Sequence, residues 1–547
     1  MTTDKGWRQD NLSESLSDVA RIKIDYSKPP WRRFLAFLGP GALVAVGYMD
    51  PGNWATSIAG GSAYGYTLLS MVLISSLMAI YLQALTARLG IATGRDLAQA
   101  CRDHFSKPAA MALWISAEIA IIATDLAEVI GTAIALNLLF GLPLLIGVIL
   151  TVADVLLILL LQNKGFRYVE ALVITLIATI AVAFLFEMIF SKPELAPLLG
   201  GLVPSRQLLD PAVLYVGIGI LGATVMPHNL YLHSAIVNTR GYDKSPAGKR
   251  EAIKFATWDS SLALTFAFFI NASILILAAA AFHFAGRTDI AEIQDAYKLL
   301  SPILGAGAAS VLFAVALLAS GQNSTLTGTL TGQIVMEGFV NIRLKPWVRR
   351  LVTRLIAIIP TVIVVMIYGE KGTGQLLILS QVILSMQLSF AVVPLMMFSG
   401  DKRKMGEFVI NRFWKVVGWA ITALIIGLNV FLLAQTFLEA EAVAGQSCAD
   451  VRPFFSRGQR RRRRGSAGSA VDSSYQQRQI HHSTGPPRTP DSLQHELAVK
   501  QIEGFTVRGA IFYLRSLVAA SVPPSAPSPT SRQTSSAPPR PPPPAAR

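Results

Sequence analysis

Two short strings, Asp50-Pro51-Gly52-Asn53 and Met226-Pro227-His228-Asn229, share the pattern x-Pro-x-Asn, and each lies inside a long apolar run. Proline removes a backbone donor and clashes with the preceding turn, so both runs should break there. Backbone carbonyls freed in hydrocarbon are costly unless something satisfies them, and a bound cation does so. The groups on offer are the Asp50 carboxylate, the Asn53 amide oxygen, the Met226 thioether and carbonyls of the unwound turns. Gly47 and Ala223 stand three residues before Asp50 and Met226, and their small side chains leave their carbonyls accessible. Oxygen donors alone suit Mg²⁺ and Ca²⁺ as well as Mn²⁺; a soft sulfur favours transition metals. Met226 is therefore expected to select against the abundant alkaline earths. The plainer readings are that Met226 fills a core gap and that both breaks are packing kinks. A kink alone does not ask for Asp50 and His228 beside the prolines, because ionisable groups inside a span are expensive and usually functional.

Proton chemistry has its own candidates. A dication arriving beside Asp50 displaces a proton from it, which couples metal binding to proton movement. Glu118, Asp125 and Glu128 are spaced by seven and three residues and share one helical face. They read as a proton relay, or as acids paired with a basic group, for which Arg354 is a candidate. His228 is one turn from Thr224 and need not face the metal; it is assigned to proton handling. Gln381 and Asn271 either line the path or make helix-to-helix hydrogen bonds. Asp154 receives no role.

These residues need helices to hold them. Of 547 residues, 52% are hydrophobic and 15% charged, against about 25% charged in an ordinary soluble domain. Two distant cysteines, Cys101 and Cys448, exclude a disulfide scaffold. The expected class is an all-α polytopic membrane protein. Runs of spanning length lie near 38–60, 66–89, 109–138, 142–162, 168–190, 212–237, 258–284, 302–336, 350–368, 375–399 and 415–438, and are numbered span one to span eleven. The breaks fall in spans one and six. Five spans per repeat is an odd number, so repeat one (about 37–190) and repeat two (about 212–399) should be inverted in the membrane, with 415–438 an extra helix. Interrupted helices at matching places point to a midplane site.

The net charge of +15 is not a nucleic-acid footprint. Residues 1–36 carry seven Lys/Arg and the loop after span six carries five, whereas the loops after spans one and three carry none. This places the N-terminal arm, residues 1–36, in the cytoplasm. No cleavable signal peptide is expected before span one. Residues 439–547 form a Pro/Arg/Ser-rich tail with 14 of the 30 prolines and the run Arg460 to Arg464. The tail reads as a disordered or non-native appendage, with an arm for anionic lipid or nucleic acid as the alternative.

At Asp50-Pro51-Gly52-Asn53, Met226-Pro227-His228-Asn229 and Gly321-Gln322-Asn323-Ser324-Thr325-Leu326-Thr327-Gly328-Thr329 the sequence resembles the Nramp family of metal transporters, most nearly its bacterial manganese/iron branch. The resemblance covers about residues 30–438 and implies eleven transmembrane helices, with inverted five-helix repeats of the leucine-transporter type and broken helices 1 and 6. It also implies proton-coupled uptake of Mn²⁺ or Fe²⁺. By the family's motifs, Asp50, Asn53, Met226 and the Ala223 carbonyl match metal ligands, and Gln381 matches a position tied to metal in the occluded state. His228, Glu118, Asp125, Glu128 and Arg354 fit its proton route. Gly47 is often alanine in the family, a change that leaves the carbonyl available.

No His-Glu-x-x-His, Gly-x-Ser-x-Gly or Walker loop is present, so no enzyme, no prosthetic group and no ATP drive are expected. The expected partners are a divalent metal ion, protons and the bilayer, without nucleic acid; a monomer suffices. The expected location is the bacterial inner membrane. The competing readings are an amino-acid or amine carrier of the same architecture and a non-transporting metal sensor. An organic carboxylate would want helix N-termini and amides rather than the acidic Asp50.

Overall fold

Span one folds as three pieces: helix Pro40–Val46, a 3₁₀ turn Gly47–Met49, and helix Pro51–Tyr64. Pro51 occupies the first helical position, where its missing N–H costs nothing. Asp50 is extended, and its carboxylate caps the second half by accepting from the Asn53 N–H at 2.8 Å. The segments on either side, Pro30–Met49 and Pro51–Tyr64, meet at 48°. Span six breaks in the same way: helix Pro211–Thr224, non-helical Val225 and extended Met226, then helix Pro227–Ile236.

The computed structural model describes residues 22–151, 166–305, 307–340, 346–368 and 372–434. Among them, eight helices are long and apolar enough to cross a membrane, or nine with the bent pair taken as one span; a shorter apolar helix covers Leu351–Ile367. Most of span four, with Asp154, lies outside the described residues, as do most of the arm and the tail. Spans two, three, five and ten are continuous as Leu69–Thr93, Lys107–Phe140, Phe166–Ser191 and Thr373–Ser399, and span eleven as Arg412–Ala434.

Two boundaries depart from expectation. Span seven begins at Pro246 rather than 258, because Ser245 caps a polar, helix-forming stretch that continues into the apolar run. Span eight begins at Ala309, not 302. Residues 302–304 end a separate helix, Ile293–Leu304, which Gly305 closes in the left-handed conformation.

Span three packs against spans eight, nine and ten. On the side of the N-terminal arm, the start of span one is held from three directions. Arg240 and Arg167 donate to the carbonyls of Ala36, Phe37 and Leu38 and both pair with Glu170, while Asp259 accepts from the Gly41 N–H at 2.7 Å. Gly39, with φ +135°, turns the chain under the Arg240 guanidinium, where any side chain would collide. A short parallel pair, Ile22–Lys23 with Arg240–Gly241, ties the arm to the end of span six.

Candidate metal site

Asn53, two residues into the second half of span one, turns its amide toward the break in span six. Its Nδ2 donates to Asp50 Oδ1 at 2.7 Å, to the Ala223 carbonyl at 2.9 Å and to the Gly47 carbonyl at 3.3 Å. The two carbonyl oxygens are acceptors only and Asp50 Oδ1 already accepts from the Asn53 backbone N–H, so one donor group sits at the point where a carboxyl oxygen and two freed carbonyls converge. Met226 brings the sulfur there as well: a methyl built on Gly47 would stand 3.0 Å from Met226 Sδ and against the Asn229 amide. Asp50, Asn53, Ala223 and Met226 are all at most 1% exposed, so the site is buried.

Span ten covers the site. The Gln381 side chain lies where a side chain on Gly52 would be, and its backbone carbonyl lies against Gly222. The two glycines let one turn of span ten touch both broken helices. Three buried oxygens around this junction, Asp50 Oδ2, Thr224 Oγ1 and Gln381 Oε1, have no hydrogen-bond partner among the described residues. Buried polar atoms left that way ask for a ligand or water. Among the described residues no three His, Cys, Asp or Glu side chains converge. The donor set is therefore one carboxylate, an amide, a thioether and carbonyls.

The proton candidates form a separate line along span three. Glu128 accepts from Thr325 at 3.2 Å and pairs with Arg354 at 3.5 Å; Arg354 also donates to Thr325 and to the Asp125 backbone carbonyl. Gly131, one turn beyond Glu128, packs directly on Pro51, which sets this line beside the span-one break. His228 faces span three, with Nδ1 3.3 Å from Thr124 Oγ1. Glu118 is paired not with Arg354 but with Arg349, which reaches both carboxylate oxygens at 2.8 and 2.9 Å across Gly332. Arg349 was missed because it lies at the start of span nine, among arginines that look like a solvated loop.

Asn271 makes the bond that its type allowed: its Nδ2 donates to Asn53 Oδ1 at 3.0 Å, and its Oδ1 accepts from Ser57 at 3.2 Å.

The family model of Natural resistance-associated macrophage protein-like (Nramp) sequences matches residues 41–435. The chain belongs to the Nramp family. It is 61% identical over 436 residues to the divalent metal cation transporter MntH of Listeria innocua, covering 79% of this chain and 97% of that one. A crystal structure of the Eremococcus coleocola manganese transporter superposes with a TM-score of 0.72 at 38% identity, covering 93% of this chain and 100% of that one. Mhp1, a nucleobase-cation-symport-1 family transporter, shares the fold at 14% identity and a TM-score of 0.50, over 73% of this chain and 93% of that one. The Nramp match takes in both breaks and runs to the end of span eleven.

Proposed function

We propose that this Nramp protein imports divalent transition-metal ions, Mn²⁺ and also Fe²⁺, coupled to proton entry, across the bacterial inner membrane by alternating access. One observation carries the reading: Asp50, the Ala223 carbonyl and the Gly47 carbonyl converge on one point beside Met226. In this reading Asp50, Asn53, Ala223 and Met226 hold the ion, and Gln381 closes over it when span ten packs on both breaks. Oxygen supplies most of the coordination. The thioether discriminates against Ca²⁺ and Mg²⁺, which gain little from a soft donor.

Proton transfer runs along span three. A dication beside Asp50 displaces its proton. His228, Glu128, Asp125 and Arg354, and then Glu118, provide polar groups that lead from the break toward the arm side. Lys and Arg crowd the arm and the loop after span six, which supports a cytoplasmic N-terminus. The spans divide as two inverted repeats, about 37–190 and 212–399, followed by an extra helix. A single chain holds the whole site.

Uptake into sealed proteoliposomes tests the reading. Mn²⁺ should accumulate when the outside is acidic, well above protein-free vesicles, with acidification of the lumen. No accumulation above protein-free vesicles would refute it.

A further inference from the structure

Asn53 reaches the candidate site with the wrong end of its amide. The group that touches Asp50, Ala223 and Gly47 is the NH₂, and the neighbouring acceptors dictate this, since the two carbonyls have nothing to donate and Asp50 Oδ1 already accepts from the Asn53 backbone N–H. The Asn53 oxygen points away, to Asn271 Nδ2. For Asn53 to offer its oxygen to a cation, the amide must turn over. Its NH₂ would then confront the NH₂ of Asn271, two donors with no acceptor between them. Asn271, 1% exposed, must turn as well, presenting its own oxygen to Asn53 and its NH₂ to Ser57. Ser57 completes the chain because a hydroxyl donates or accepts as required; it donates to Asn271 at present. Asn53, Asn271 and Ser57 thus form a row in which every hydrogen bond reverses and none is lost.

We infer that Asn271 is a positioning residue for metal binding, and that a paired turn of the Asn53 and Asn271 side-chain amides switches the site between a self-satisfied and a metal-holding state. In the first state the Asn53 NH₂ occupies the convergence point and satisfies the oxygens that would otherwise attract any passing cation. An ion enters only if its bonds to those oxygens exceed the hydrogen bonds it displaces, which favours a dication over Na⁺ or K⁺. In the second state Asn271 holds the Asn53 oxygen inward. The inference rests on Asn53 being a ligand, as in the proposed function.

The test uses the full-length protein in lipid nanodiscs. Mn²⁺ affinity is measured by calorimetry for the wild type, Asn53→Ala, Asn271→Asp and the double variant. An aspartate at 271 only accepts, so it disfavours the self-satisfied state and should tighten Mn²⁺ binding by about tenfold, the worth of one strong hydrogen bond. Its added charge acts in both backgrounds, so the gain should be much smaller when residue 53 is alanine. Equal gains in both backgrounds overturn the switch while leaving the site intact. Unchanged affinity in Asn53→Ala overturns the ligand reading beneath it. A second measurement on the wild type needs no variant to fold: with ¹³C,¹⁵N-labelled asparagine, the diamagnetic ion Cd²⁺ should shift the side-chain amide signals of both Asn53 and Asn271. A shift at Asn53 with Asn271 unmoved refutes the paired turn.

Discussion

The Asn53 side-chain amide nitrogen and the Ala223 carbonyl oxygen lie 2.9 Å apart across 170 residues of sequence. This bond joins the two broken helices at their breaks, with Asp50 Oδ1 on the same nitrogen. The oxygens left by unwinding span one and span six are therefore not scattered. They face each other across a gap that one amide NH₂ group bridges.

Asp50 supplies the sole carboxylate among the proposed ligands. Asp50→Asn keeps the size and the helix cap but removes the charge that offsets a desolvated dication. Mn²⁺ uptake by proteoliposomes should fall to the level of protein-free vesicles, with the thermal unfolding temperature little changed. Wild-type uptake would remove Asp50 from the site.

Met226 is buried with its sulfur against Gly47. Met226→Ala removes the soft donor and leaves the oxygens, so Mn²⁺ uptake should persist while competition by Ca²⁺ or Mg²⁺ rises. The check is the concentration of each that halves Mn²⁺ uptake. An unchanged value would assign the thioether to packing.

Both breaks were legible in the sequence, because Pro51 and Pro227 each forbid an internal helix bond whatever surrounds them. Asp50 and Met226 were legible because they stand directly before those prolines. The partners were not. Arg240 meets Glu170 across 70 residues, and Arg349 meets Glu118 across 231, distances at which no periodicity reports pairing. The Asn53 amide orientation depends on three acceptors from two helices, so no local pattern encodes it. The helices of spans seven and eight start away from the expected apolar runs for a simpler reason: hydropathy marks the membrane and not the helix, and Ser245 and Gly305 set the helix ends.

Gly222 and Gly52 both make room for Gln381, with different consequences. A methyl on Gly222 meets the Gln381 backbone carbonyl and Ser385, which cannot swing aside; a methyl on Gly52 meets the far end of the Gln381 side chain, which can. Gly222→Ala should prevent span ten from closing and abolish uptake. Gly52→Ala should preserve the fold, displace Gln381 and weaken Mn²⁺ binding. Calorimetry and uptake separate the two, and equal behaviour would contradict the packing.

Glu128 and Arg354 are each 0% exposed and 3.5 Å apart. Arg354→Met takes the cation away from a buried acid and should cost about 3–5 kcal/mol. Combining it with Glu128→Gln removes the acid as well, so much of that loss should return. Thermal unfolding of the single and double variants measures this. If Glu128 also carries protons, Glu128→Gln alone should retain Mn²⁺ binding while flattening the pH dependence of uptake.

On the side opposite the arm, Glu292 binds the start of span ten, accepting from the Gly374 N–H at 2.8 Å and from Thr373 at 3.1 Å. It serves as the N-terminal cap that Gly372 lacks. Burial pushes its carboxyl up to about 7, against the lowering effect of those two donors. The folded state therefore holds this proton more tightly than the unfolded chain does. Glu292 thus favours folding fully at pH values below its ordinary range near 4.5, and that contribution is lost as pH rises toward 7. Glu292→Gln keeps an oxygen for Gly374 and cannot ionise. The fall in unfolding temperature between pH 5 and pH 8 should be smaller in this variant than in the wild type, and the variant should be the more stable of the two at pH 8. The reverse order at pH 8 would mean that the ionised carboxylate is the better cap for span ten.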